Sequence, residues 1–155
     1  MVLSSEFQHL RKQSGVYILS PDYSPLLSMN STVIVKIGKA ANLYSRIDHY
    51  GLCFRDSFWV YSVLLTENKD ESRALEKCIH QELKKKGYQH KGEEYKVRNG
   101  SRGHEWFKIQ KKDLIKEIRQ AIAKYKKERK KKVKIENFHD DVIDSKGNKF
   151  TGFII

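Results

Sequence analysis

The stretch Val33-Ile34-Val35-Lys36-Ile37-Gly38, followed at once by Lys39 and a helix-like segment, decides the fold of this 155-residue chain. Three apolar side chains, those of Val33, Val35 and Ile37, alternate with Ile34 and Lys36. This period of two predicts a strand in which Lys36 points away from the face that carries Val35.

A similar run, Gly15-Val16-Tyr17-Ile18-Leu19, precedes this strand. Between the two runs lies a polar segment that contains both prolines of the chain, Pro21 and Pro25. Because proline does not continue a central strand, this segment predicts a loop, and the two runs predict a hairpin.

Helical spacing begins after Gly38, where Leu43, Ile47 and Tyr50 recur at intervals of four and three residues. Asn42 is a suitable N-cap, and Gly51 predicts the end of this helix.

The remaining elements follow from the same patterns. The aromatic and β-branched residues 58–65 predict a third strand, and a second helix is expected to begin near Asn68 or Asp70. Residues 84–104 predict a loop, and residues 105–109 predict an edge or closing strand. The periodic residues Leu114 to Tyr125 predict a long amphipathic helix that docks by its first half and projects its second.

The fold class expected is α/β (α+β), with a central three-stranded antiparallel sheet flanked by helices. Residues 1–109 would form the main domain, 110–134 a basic helix and 135–155 a partly ordered tail.

Positive charge is concentrated near the C-terminus. The chain has a formal net charge of +12, and residues 108–134 hold thirteen Lys or Arg against three Asp or Glu, a net of +10. A basic patch of this kind favours a polyanionic partner, and nucleic acid is the first candidate.

The cysteines and the hydropathy of the sequence bear on the cellular compartment in which the protein is expected. Cys53 and Cys78 are too few for a disulfide framework and lack the paired spacing of a zinc site, so both are expected as buried thiols. No secretory signal and no apolar run near the roughly 20 residues of a membrane span occur. We expect a soluble intracellular protein with no membrane partner, nuclear or nucleoid-associated if the basic run acts in targeting or DNA binding.

The order of these motifs resembles the GIY-YIG endonucleases, with the two signature strings present as GVY (residues 15–17) and KIG (residues 36–38). Two later features, Glu76 with His80 four residues on and the string Gly103-His104-Glu105-Trp106-Phe107, resemble the branch of that family whose second motif reads KIG. The resemblance covers residues 15–107. It implies a DNA endonuclease that uses one divalent metal, Mg²⁺ or Mn²⁺.

The resemblance also implies roles for single residues. Glu76 would hold the metal. Arg46 and Lys39 would stabilise the charge on the scissile phosphate, for which a planar guanidinium is well suited. Tyr17 and Tyr50 match the tyrosines that position or deprotonate the attacking water.

Lys36 stands where most of the family has a tyrosine. Three alternatives stay open: Tyr17 activates water alone, Lys36 with a lowered pKa shares the task, or the chemistry is lost. His49 is a further candidate base, because it lies three residues after Arg46 on the same helix. His80 is a candidate site residue or a half-buried structural histidine, and Glu105 is either a supporting carboxylate or a surface charge.

Sequence-independent contact with the DNA backbone is expected from the basic run after Ile122. Its members are Lys124, Lys126, Lys127, Arg129, Lys130, Lys131 and Lys132. Two other classes of protein remain: a nucleic-acid-binding protein that keeps the fold without the chemistry, and an interaction protein whose basic helix grips an acidic partner. A protein partner that supplies target specificity is also compatible with the sequence, which does not indicate an oligomeric state.

Overall fold

The computed structural model describes residues 5–20, 30–53, 58–90, 105–137, 141–143 and 149–151. At residues 5, 6, 50–53, 58, 59, 61, 137, 141–143 and 149–151 it describes the backbone only. The proline-containing loop and most of the predicted 84–104 loop therefore lie outside the described residues.

Eight strands and three α-helices form the described part of the chain. The strands are β1 (Gly15–Ser20), β2 (Thr32–Ala40), β3 (Phe58–Leu65), β4 (Gln89–His90), β5 (Trp106–Gln110), β6 (Lys134–Asn137), β7 (Asp141–Ile143) and β8 (Lys149–Thr151). The helices are α1 (Leu43–Cys53), α2 (Lys69–Lys85) and α3 (Lys111–Arg129), and a 3-10 helix (Ser5–Leu10) precedes β1.

All described strands join one antiparallel sheet in the order β4-β5-β2-β1-β3-β7-β8, and β6 also pairs with β3. The predicted mixed α/β class is confirmed, and β2-β1-β3 is the predicted three-stranded centre. The sheet is larger than the predicted three-stranded one, because further strands extend this centre on both sides. β5 was predicted as an edge or closing strand; it lies between β2 and β4.

Helices cover both faces of the sheet. One core packs α2 and α3 against the face that carries Val16, Val35, Ile37 and Phe107. A second core, on the face of Tyr17 and Leu19, packs against α1 and the 3-10 helix. The alternation in β1 thus separates two buried layers, as expected for a central strand between helices.

The N-caps were predicted correctly. The Asn42 side chain accepts a hydrogen bond from the Ser45 N–H at 3.2 Å, and the Asn68 side chain accepts one from Glu71 N–H at 3.0 Å. These bonds satisfy donors that the first turn of a helix leaves free. Gly51 does not end α1, which runs to Cys53.

The long helix α3 docks along nearly its whole length, which corrects the prediction that its second half projects. Its buried residues continue to Tyr125, and Arg129 forms an ion pair with Glu71 of α2 at 2.6 Å. The helix ends there, with Lys130 in the left-handed region at φ 56°. The predicted basic helix is therefore shorter than residues 110–134.

The segment after α3 was expected to be a partly ordered tail. Among its described residues, β6 pairs with β3 from Ser62–Asn137 to Leu65–Lys134, and β7 pairs with the start of β3. Sequence periodicity missed these strands because each has only three or four residues. No helix in the described part of the chain has the length and hydropathy of a membrane span.

Candidate active site

Tyr17 and Gly38 lie directly opposite each other in the β1–β2 ladder. The Tyr17 side chain is 1% exposed, and its phenol ring and hydroxyl occupy the space in which a β-carbon at position 38 would lie. Glycine is therefore required at position 38 by the close approach of an aromatic ring. The two signature strings are thus in contact through these two residues.

Lys36 is buried, with only 1% of its surface exposed. Its Nζ lies 3.1 Å from Glu105 Oε2 and 5.5 Å from the centroid of the Trp106 ring. A buried ammonium needs such compensation, because removal from water disfavours the charge. This explains why a glutamate and a tryptophan follow each other at the start of β5.

Glu76 lies on α2, at the level of the C-terminal end of β2. Its side chain is 12% exposed, and its Oε1 lies 3.6 Å from the Nζ of Lys39. Its other oxygen, Oε2, is buried and has no hydrogen-bond partner among the residues that the structure describes. An unsatisfied buried carboxylate oxygen is costly, so this atom is suited to accept a cation.

Burial raises the pKa of the Glu76 carboxyl, and the negative charge of Glu105 acts in the same direction. The positive charge and hydrogen bonding of Lys39 oppose this effect. The influence of Glu105 on Glu76 indicates that the Lys36–Glu105 and Lys39–Glu76 pairs belong to one electrostatic neighbourhood.

His80, one helical turn after Glu76, joins α2 to β2. Its Nε2 lies 2.8 Å from the carbonyl oxygen of Ile37, and its ring packs on Phe107 with centroids 5.1 Å apart. Because a carbonyl only accepts, Nε2 carries the proton and donates it. His80 therefore links α2, the helix that carries the candidate metal ligand Glu76, to Ile37, the residue that precedes Gly38.

The remaining predicted catalytic residues lie on α1. Arg46 is in the first half of the helix with an exposed side chain, and His49 is exposed one turn later. The side chain of Tyr50 lies outside the described residues. Asp48, which the sequence analysis did not single out, has a buried Oδ1 with no hydrogen-bond partner among the described residues; no local pattern distinguishes it from a surface aspartate.

Several cations of the predicted DNA-binding run contact carboxylates. Lys124 pairs with Glu82 at 3.0 Å, and Lys131 lies 3.4 Å from Glu67. Arg129 donates two hydrogen bonds to Glu71, from Nε at 2.8 Å and from Nη2 at 2.6 Å. The Arg129 guanidinium is thus engaged in an intramolecular ion pair with Glu71. The other members are exposed: Lys126, Lys127, Lys130 and Lys132.

Glu76, through its buried Oε2, is the carboxylate of this site that could contact a divalent cation. Among the described residues, no group of three or more His, Cys, Asp or Glu side chains is placed to share a metal. A site with Glu76 as the protein carboxylate would therefore leave most coordination positions to water or phosphate oxygens. Mg²⁺ commonly binds in this way, through one or two carboxylates.

Comparison with known families places this site in context. The model of the T5orf172 domain matches residues 14–126, so the chain belongs to that family. The domain is associated with nuclease-like functions and is consistent with a nuclease-like or DNA-binding role. Neither the comparison with curated proteins nor that with solved structures gave a match.

Proposed function

We propose that this protein is a metal-dependent DNA endonuclease of the GIY-YIG type, with Glu76 as the ligand of a single Mg²⁺ or Mn²⁺. The observation that carries the proposal is the buried Oε2 of Glu76, for which the described part of the chain supplies no hydrogen-bond partner. It lies on a helix that His80 bonds to the KIG strand, in a chain of a nuclease-associated family.

When bound, the divalent metal would supply Lewis-acid stabilisation of the negative charge on the phosphate. The positive charge of the chain also supports DNA as the substrate. Lys39, beside Glu76 and 40% exposed, would turn its ammonium to a phosphate oxygen. Arg46 is exposed on the helix that follows Lys39, and its fork would hold two non-bridging oxygens.

Hydrolysis requires a proton acceptor for the attacking water while the bond from phosphorus to one bridging oxygen breaks. Tyr17 and His49 are the candidates that we retain. The phenol of Tyr17 lies against Gly38, and His49 is exposed on α1. Lys36 is less suited, because its buried ammonium is held next to Glu105 and a charged ammonium accepts no proton.

One observation favours a second function, a DNA-binding protein without hydrolytic activity. Lys36 stands where most GIY-YIG endonucleases have the tyrosine of the second motif, and it is used in an internal ion pair. Tyr17, in the first motif, is almost fully buried. A chain that keeps the fold and the cations but cannot accept a proton at Tyr17 or Lys36 would bind DNA and leave it intact, unless His49 accepts the proton instead.

Nicking of supercoiled plasmid with Mg²⁺ or Mn²⁺ tests the proposal. Glu76→Gln keeps the size of the side chain and removes the charged ligand, so we expect the rate to fall by roughly 100-fold or more. Arg46→Ala is expected to lose a similar factor. EDTA should stop cutting by the wild type.

Glu67→Gln is the matched control, because it makes the same chemical change at an exposed carboxylate and should cut at the wild-type rate. DNA binding by Glu76→Gln, measured by gel shift, should persist. If pure wild-type protein binds plasmid, nicked and branched DNA but cuts none of them, the binding function replaces the endonuclease.

A further inference from the structure

The exposed side of α2 carries a row of cations that motif analysis did not single out. Lys69, Arg73, Lys77 and Lys84 are all exposed. Among the described residues, none of the four has a carboxylate oxygen within ion-pair distance. We call these four residues the α2 basic row.

Helical geometry places this row beside Glu76. At about 100° per residue, the four cations lie roughly 20° to 100° from Glu76 around the helix axis, all on the same side. His80 lies among them, about 40° from Glu76. From Lys69 to Lys84 the row extends about 22 Å along the axis.

The C-terminal basic run approaches α2 from the other side. Its members Lys124 and Arg129 contact Glu82 and Glu71. These carboxylates lie about 120° and 140° from Glu76 in the opposite sense around the helix. Helix α3 and the cations at its end are therefore separated from Glu76 by the buried face of α2.

We propose that the α2 basic row binds the sugar-phosphate backbone of DNA and guides the strand to Glu76. Four exposed cations that pair with no carboxylate of the described residues form a surface complementary to a polyanion. Lys39, 3.6 Å from Glu76, continues the positive surface up to the carboxylate. The inference rests on the proposed function for its last step, delivery of a phosphate to Glu76, whereas DNA binding by the row does not require cutting.

The test compares two variants that each remove three positive charges. Arg73→Gln/Lys77→Gln/Lys84→Gln changes the α2 basic row, and Lys126→Gln/Lys127→Gln/Lys132→Gln changes the exposed part of the C-terminal run. Glutamine resembles lysine and arginine in helix propensity, and all six side chains are exposed. Circular dichroism should show equal melting of both variants and wild type.

The readout is fluorescence anisotropy of a labelled DNA duplex in EDTA, measured over a range of salt concentrations. We expect the α2 variant to bind roughly ten-fold or more weakly, with a salt slope smaller by about 2.7, or about 0.9 for each lost phosphate contact. The C-terminal variant should keep most of both the affinity and the slope.

Equal weakening of the two variants would show that net charge alone matters, and a larger effect of the C-terminal variant would assign the surface to α3. Either result overturns the inference, as does wild-type protein that does not bind the duplex. If the α2 variant alone weakens binding and wild type never cuts DNA, the surface stands and the endonuclease proposal fails.

Discussion

Single residues matter most where a side chain occupies space that its neighbour leaves free. Tyr17 and Gly38 show this, because the aromatic ring fills the position of a β-carbon. The contact links the two signature strings and fixes the position of the phenol. It also makes a strong prediction about substitution at position 38.

Gly38→Ala is expected to destabilise the protein by about 1–3 kcal/mol, since the added methyl overlaps the buried ring. In a Tyr17→Ala background the same change should cost little. Urea unfolding of the four proteins in this double-mutant cycle measures the coupling. An equal cost in both backgrounds would show that the clash with Tyr17 is not the cause.

Glu71 provides a second case at the residue scale. Hydrogen bonds from Arg129, and then from the Tyr125 hydroxyl, lower its pKa from the ordinary value of 4.5 to about 2. Burial and the same carboxylate raise the pKa of Tyr125. A lowered pKa means that the native state holds the ionised form, so this stabilisation is complete above pH 4.5 and is lost as the pH falls toward 2.

We therefore expect the free energy of unfolding of wild type to fall between pH 5 and pH 2 more steeply than that of Glu71→Gln, with the two curves converging near the low end. At neutral pH the variant should be the less stable protein. Urea unfolding at a series of pH values gives both curves. The control is Glu67→Gln, because the carboxylate of Glu67 is more exposed; its free energy of unfolding should depend on pH as steeply as that of wild type. If Glu71→Gln also keeps the wild-type pH dependence, Glu71 is not its cause.

At the scale of elements, the contact between α2 and β2 positions the candidate site. His80 Nε2 donates to the carbonyl of Ile37, and the ring packs on Phe107 of β5. This places Glu76 next to Lys39 without either residue contributing to the core. We assign His80 a positioning role: it holds Glu76 next to Lys39 and does not itself act as a catalytic base.

His80→Phe keeps the aromatic packing and removes the donor, so the buried carbonyl of Ile37 loses its partner at a cost of about 1–3 kcal/mol. Nicking should slow while the pH dependence of the remaining activity stays that of wild type. His80→Gln, which retains an N–H donor, is expected to recover part of the stability. A changed pH profile in His80→Phe would indicate that the imidazole itself transfers protons.

For the whole molecule, the folded unit is larger than the span matched to the T5orf172 family, residues 14–126. Phe7 and Leu10, both 0% exposed, complete the core beneath α1. Beyond the span, Arg129 joins α3 to α2 and β6 pairs with β3. Without these additions, β3 would present an unpaired edge.

A fragment of residues 14–126 should therefore be unstable or aggregate, whereas the full chain unfolds cooperatively. Loss of Phe7 and Leu10 alone should cost about 3–6 kcal/mol, from roughly 1.5–3 kcal/mol for each buried side chain. Thermal unfolding and size-exclusion chromatography of both proteins measure the difference. A fragment as stable as the full chain would show that the flanking elements contribute nothing.

The sequence by itself determined what depends on neighbouring residues. Alternation predicted β2, the aromatic and β-branched residues predicted β3, and asparagines marked the start of α1 and one of the two starts considered for α2; the resemblance to the GIY-YIG endonucleases made Glu76, Lys39 and Arg46 candidates for one site. These features are legible because backbone hydrogen bonding and helical or strand period act over a few residues.

Only the tertiary structure decided which charges are used inside the fold. It brought Glu71 to Arg129 across 58 residues of sequence and paired Lys36 with Glu105. It also buried one oxygen of Glu76 without a hydrogen-bond partner among the described residues. It also added β6 to the sheet, although no period marks that strand. Burial and electrostatic pairing depend on three-dimensional neighbours, which local spacing does not encode.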